Sequence, residues 1–230
     1  MPLGLITGAS KGFGRAVARE LAAQGWDLVV DARSAADLIA TFADSPATTT
    51  IAGDITDPLH RQALAAAIAA RSLDLVVNNA SHLGPSPQPP LASYDIDELR
   101  RVYETNVFAP LALIQLVLPA LDSAAQATIV NVTSDASVEA YEGWGGYGSS
   151  KAALDHLSRI LGEEHRDLRV YAFDPGDMRT DMHQAAFPGE DISDRPEPEA
   201  VVPALLRLLT RRPPSGRVRA TDLLAPVGAC

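Results

Sequence analysis

The 230-residue chain predicts an α/β fold, one domain built on a doubly wound, mostly parallel sheet of about seven strands with helices on both faces. Two patterns predict it. Short runs rich in β-branched residues alternate with longer segments rich in alanine and leucine, and several short runs are apolar on both faces, as central parallel strands are when helices cover each side.

The strand runs, in order, are LGLIT from Leu3, DLVVDA from Asp27, TTTIA from Thr48, LDLVVN from Leu73, ATIVNVT from Ala127 and LRVYAF from Leu168. Between and after them the helical segments are 13–24, 35–42, 58–71, 96–121, 147–162 and 199–210. Pro58 after Asp57 is a start signal and Gly25 after Gln24 a stop signal. Two proline-rich passages follow strands: GPSPQPP at 84–90, read equally as a plain surface loop, and a segment at about 181–198 containing FPGEDISDRPEPE, expected to cover a site as a mobile loop.

Composition narrows the function. With 47% hydrophobic residues the chain can bury a sizeable core. A net charge of -10 argues against nucleic acid as a partner, because phosphate binding needs a basic face. The one basic group, Arg207, Arg211, Arg212, Arg217 and Arg219, reads as a solvated or subunit-contact face. A single cysteine, Cys230, excludes an internal disulfide, and no charged leader precedes the first strand, so a cytoplasmic location is expected. The apolar run from Ala109 to Leu121 is too short to span a bilayer, so no membrane partner is expected.

The chemistry-bearing motifs sit where strands end. TGASKGFG follows the first strand, with glycines at 8, 12 and 14, and its tight turn and free helix N-terminus suit a pyrophosphate. Asp54 and Ile55 of GDITD offer a polar and an apolar contact for an adenine, and NNAS, residues 78–81, ends the fourth strand. In VVDARS, Asp31 could accept from a ribose while Arg33 could bind a 2'-phosphate; the two share strand parity, which does not decide between them. Lys11 adds a cation near that pocket and favours the phosphorylated cofactor. Tyr147 and Lys151 lie four apart on one helical face, where an ammonium would lower a phenol toward neutrality. Ser134 ends the fifth strand, and Asn106 sits in a turn that Pro110 should loosen.

TGASKGFG, NNAS, Asn106, Ser134, Tyr147, Lys151 and DPGDMRT stand in the order of a short-chain dehydrogenase/reductase, which the chain resembles from Leu3 to about Leu223. The resemblance implies a Rossmann domain and a catalytic set of Asn106, Ser134, Tyr147 and Lys151. Tyr147 would be the acid and base, Lys151 would lower its pKa and bind the nicotinamide ribose, Ser134 would hold the reacting oxygen, and Asn106 would hold a water leading to Lys151. For the cofactor it implies Gly8, Ser10, Lys11, Gly12, Phe13 and Gly14 around the pyrophosphate, Asp54 and Ile55 at the adenine, and Asn78 and Ala80 beside the ribose. Pro175, Gly176 and Thr180 would meet the nicotinamide, with Tyr147 and Lys151 beside it. Two departures stand out: Ser81 replaces a usual glycine, and Ala32 occupies the place of the acid found in NAD-specific members, with Arg33 next. NADP(H) is therefore the expected cofactor, with NAD(H) also accepted. GWGGYGSSKAALDHL and PGDMRTDM are similar to the sepiapterin and benzil reductase branch, which implies a dicarbonyl substrate lined by Ser134, Tyr141, Trp144, Met178, Met182 and His183. A carbonyl or alcohol substrate and a homodimer or homotetramer follow from the same likeness. A cofactor sensor without turnover would need the glycine turn but not the Ser134, Tyr147 and Lys151 relay.

Overall fold

The computed structural model describes residues 1–68 and 70–224; Cys230 lies outside the described residues. Seven strands form one sheet: β1 (Leu3–Ile6), β2 (Asp27–Ala32), β3 (Thr48–Ala52), β4 (Leu75–Asn78), β5 (Thr128–Val132), β6 (Arg169–Asp174) and β7 (Gly216–Arg219). They run in the order β3-β2-β1-β4-β5-β6-β7, and every pairing is parallel. The order reverses between β1 and β4, which opens a crevice beyond the carboxyl ends of the strands.

The helices are α1 (Gly12–Ala23), α2 (Ala35–Phe42), α3 (Pro58–Ile68), α4 (Ile96–Tyr103), α5 (Ala109–Asp122), α6 (Gly145–Glu164), α7 (Asp181–Ala186), α8 (Pro198–Arg211) and α9 (Ala220–Leu224). Strand alternation divides the core into two halves. Ile6, Val30, Val77, Val130 and Phe173 point to the side covered by α1, α2 and α8, through Phe13, Val17, Leu38, Leu205 and Leu208. Leu5, Val29, Val76, Ile129 and Val170 face α3 and α5, through Leu64, Ile68, Leu113 and Val117. Burial of both strand faces explains why these runs read as continuous apolar sequence rather than alternating sequence.

The segment predicted as one helix over 96–121 contains a π-helical turn, Glu104–Phe108, between α4 and α5. Its cause is local. Pro110 has no N–H to give to the carbonyl of Asn106 four residues earlier, so the α-helical ladder breaks there. The whole stretch Ile96–Asp122 is 27 residues long and apolar enough by length and composition to cross a membrane, unlike the shorter run weighed from sequence; its inner face, with Leu113, Val117 and Leu121, lies in the core.

β7, α7 and α9 have no counterpart among the predicted elements. β7, with the sequence GRVR, is a four-residue edge strand that lacks an apolar run. Of the basic group, Arg207, Arg211 and Arg219 are exposed, as a solvated face would be, whereas Arg212 and Arg217 turn inward. Arg207 donates to the Leu223 carbonyl at 2.7 Å, Arg212 to Gln126, Thr128 and Ala127, and Arg217 into the sheet end described below.

Candidate active site

The crevice at the strand ends is a cleft of about 850 Å³. Its first wall is the turn between β1 and α1. Gly8 and Gly12 have φ of +68° and +56°, the left-handed region that favours glycine. A Cβ on Gly8 would stand 2.9 Å from the Ala80 Cα, and one on Gly14 would stand 2.6 Å from the Gly8 carbonyl oxygen and 2.4 Å from the Asn79 amide nitrogen. Asn79 is the cause of that closeness, since its Nδ2 donates to the carbonyls of Thr7 and Gly8 while Thr7 Oγ1 accepts from the N–H of Asn79 and Ala80. Gly8, Ser10, Lys11, Gly12 and Phe13 line the cleft; Gly14, expected in the same cradle, packs behind it. No side chain caps the start of α1, so its first amides remain free for an anion.

Asp31 lines this cleft, but both of its carboxylate oxygens are already engaged within the protein. It is buried, with Oδ1 accepting the Gly8 N–H at 2.8 Å and Oδ2 lying 3.0 Å from His60 Nε2. Arg33 is the cation at the end of β2 on the cleft wall, beside Ser34, Asp54 and Ile55. Burial tends to raise the Asp54 carboxyl, but hydrogen bonds from the Thr56 N–H and hydroxyl, with Arg33 and His60 nearby, hold it below its usual value. Lys11, expected as a second cation for the same pocket, instead pairs with Asp181 of α7 at 3.0 Å. Asn78, expected beside the ribose and as a support for the neighbouring strand, does the second: it turns into the sheet and donates to Asn131 Oδ1 of β5 at 2.8 Å, and its neighbour Asn79 is the one on the cleft.

At the far end of the cleft, α6 presents Tyr147 and Lys151 on one face, and both are buried. Lys151 Nζ donates to the Val132 carbonyl at 2.8 Å and lies 5.5 Å from the centre of the Tyr147 ring. Ser134, just past β5, donates to Asp135 Oδ1 at 2.9 Å and lines the same space. The phenol departs from the expected lowering. Burial pushes it well above its usual value and the carboxylates of Asp174 and Asp135 act the same way, while the nearby Ser81 hydroxyl opposes them. Burial also lowers Lys151, to about 8, against the pull of Asp155. Desolvation thus outweighs the attraction expected between an ammonium and a phenolate.

Asn106 is fully buried in the π-turn, and its side-chain hydrogen bonds go to the loop after β4 and to Ser150. Its Oδ1 accepts from the Ser81 hydroxyl at 3.1 Å and the His82 N–H at 2.8 Å, and its Nδ2 donates to the His82 carbonyl and to Ser150 Oγ. The side chain therefore braces the loop after β4 against α6; the group left without an α-helical donor is its main-chain carbonyl. Ser81, which stands in place of a usual glycine, joins Asn106 to the phenol's surroundings.

Trp144, Met178, Met182, His183, Leu83 and Ala186 form the apolar mouth. The Trp144 ring meets Tyr147 edge-on at 5.9 Å and Phe187 at 5.7 Å. Tyr141, expected in this lining, stands outside it, stacked edgewise on Trp144 with its hydroxyl donated to Asp135. Pro175, Gly176 and Thr180 lie on the wall between the two ends, and Thr180 caps α7 by accepting the His183 N–H. The two proline-rich loops meet above, where Ser86 donates to the Ala185 carbonyl at 2.6 Å. Leu83 and Ala186 were missed because neither carries chemistry; only their place after NNAS and inside the covering segment could have pointed to them.

The model of the family described as short chain dehydrogenase matches residues 3–191. Benzil reductase ((S)-benzoin forming) of Bacillus subtilis is 33% identical over 188 residues, which cover 79% of this chain and 76% of that protein. Sepiapterin reductase of Mus musculus is 32% identical over 201 residues, covering 79% and 76%. A solved short chain dehydrogenase from Shigella flexneri, complexed with NADP, superposes with a TM-score of 0.88 at 28% identity, over 96% of this chain and 97% of that one.

Proposed function

Since the chain belongs to the short-chain dehydrogenase family of oxidoreductases, we propose that it reduces a ketone, aldehyde or dicarbonyl compound with NADPH, Tyr147 being the acid that protonates the new alcohol oxygen. The observation that carries this reading is the burial of Tyr147 and Lys151 together on one face of α6, at the closed end of the cleft and beside Ser134.

The residues present fit a nicotinamide dinucleotide. A Cβ at Gly8 would close the turn, the amides at the start of α1 are uncapped, and Arg33 stands on the wall where a 2'-phosphate would be recognised. The preference for NADPH over NADH rests on Arg33 and on the inward turn of Asp31. When bound, the cofactor supplies the hydride.

The chain's own residues handle the proton and the geometry. The raised phenol keeps Tyr147 protonated through the neutral range, so it can give its proton to an oxygen that gains charge in the transition state. The Lys151 ammonium, charged at neutral pH, stabilises negative charge arising on that phenol oxygen. Ser134 offers a hydroxyl to the substrate oxygen, and Trp144 with the methionines excludes water. The apolar, aromatic mouth and the likeness to a benzil reductase favour substrates with an aromatic or dicarbonyl body.

Fluorescence titration with NADPH and NADH, followed by a panel of diketones, quinones, steroids and aldehydes, tests the reading. Tighter NADPH binding, and its oxidation by a member of the panel, is expected. Failure to bind either nucleotide would contradict it.

A further inference from the structure

Arg217 of β7 lies outside the motifs that carry the reaction, yet its guanidinium bonds three parts of the site. Its Nη2 donates to the main-chain oxygen of Ser134 at 3.1 Å and to Asp174 Oδ2 at 2.7 Å, and its Nε donates to Asp155 Oδ2 at 3.2 Å. Each partner leads to a group already placed in the site. Asp174 ends β6 and its Oδ1 accepts the Gly176 N–H, fixing the Pro175–Gly176 wall. Asp155 sits one helical turn after Lys151 on α6 and also accepts from Ser137, five residues after Val132 at the end of β5. The Arg217 side chain is 22% exposed, and its two carboxylate partners are 6% and 10% exposed, so water screens little of this charge.

We propose that Arg217 is a positioning residue for the reaction: it holds Ser134, the Lys151 helix and the Pro175–Gly176 wall in one geometry, and it neutralises two carboxylates that border the proton-transfer pair. The inference rests on the roles proposed for Tyr147 and Lys151.

Arginine suits the task because a planar fork can hold several acceptors in fixed directions, which a lysine cannot. Its charge matters as well. Asp174 and Asp135 face Tyr147, and Asp155 faces Lys151; all three favour the protonated form of the group they face. Without Arg217 the negative potential at both groups grows, so protons are held more tightly. Packing alone would not produce that effect.

The test is Arg217→Met, with Arg217→Lys and Asp155→Asn alongside. Arg217→Met removes no main-chain pairing of β7 with β6, and is expected to lower kcat for carbonyl reduction about 10- to 100-fold through misplacement, with NADPH affinity and carbonyl KM nearly unchanged. The alkaline limb of its pH profile should move to higher pH. Arg217→Lys should restore the profile but only part of kcat. Asp155→Asn, which removes the negative charge beside Lys151, should move the limb to lower pH. Should Arg217→Met fail to fold, the Asp155→Asn profile decides: a downward move supports the proposal and an unmoved limb overturns it. A folded Arg217→Met with kcat within about threefold of the parent and an unmoved profile overturns it as well. Tyr147→Phe is measured in the same series: an active Tyr147→Phe sinks the reading of the site, whereas an inactive one beside an unaffected Arg217→Met sinks this inference alone.

Discussion

Tyr147 and Lys151 show how far residue identity reaches. Their spacing of four is legible in the sequence because a helix places such pairs on one face. Their protonation is not, since it depends on burial, to which Leu83 and Ala136 of other segments contribute at Tyr147. Opposite effects compete at this pair, and desolvation wins at both members. The sign for reduction follows. The chemistry needs Tyr147 protonated and Lys151 charged; Lys151, lowered to about 8, loses its charge first as pH rises. The kcat/KM for reduction, which reports the free enzyme, should be flat through neutrality and decline above about pH 8. A profile still flat at pH 10 would contradict this role for Lys151. Asp31 and Asn78 teach the complementary lesson: the sequence places both at strand ends, but which way each side chain turns is set by His60 and Gly8 for one and by Asn131 for the other.

Elements with strong periodicity or capping were readable, and those held by a few polar contacts were not. β1, β2, β4 and β5 declare themselves by short, largely apolar runs, and α3 by Pro58 at its N-terminus. β7 escapes because Arg217 and Arg219 occupy alternate positions of a four-residue edge strand. The π-turn was half visible: Pro110 predicts a break, but the brace that Asn106 makes to His82 and Ser150 depends on long-range packing. The turn between β1 and α1 gives a prediction at this scale. In Gly14→Ala the new methyl would collide with the Gly8 carbonyl and with Asn79, so the chain should lose about 1–3 kcal/mol of stability. Calorimetry should show the thermal midpoint fall by about 2–4 °C for each kcal/mol, with weaker NADPH binding. An unchanged midpoint would contradict the close packing assigned to this turn.

For the whole molecule, the reversal of strand order between β1 and β4 sets where chemistry can occur, because it parts the loops and leaves a cleft at the carboxyl ends. The glycine turn forms one end of that cleft and α6 the other, so a cofactor bound across it would place its reactive end near Tyr147. The alternation of strand and helix segments made this architecture legible before any contact was known; the roof formed where the 84–90 loop meets α7 was not, as no periodic pattern links segments about 100 residues apart. The central claim is that this cleft carries out proton transfer through Tyr147, and it is tested most directly by steady-state reduction with Tyr147→Phe. Turnover should fall by about 10²- to 10⁴-fold while NADPH affinity stays within a small factor of the parent. Turnover close to the parent's would contradict the claim.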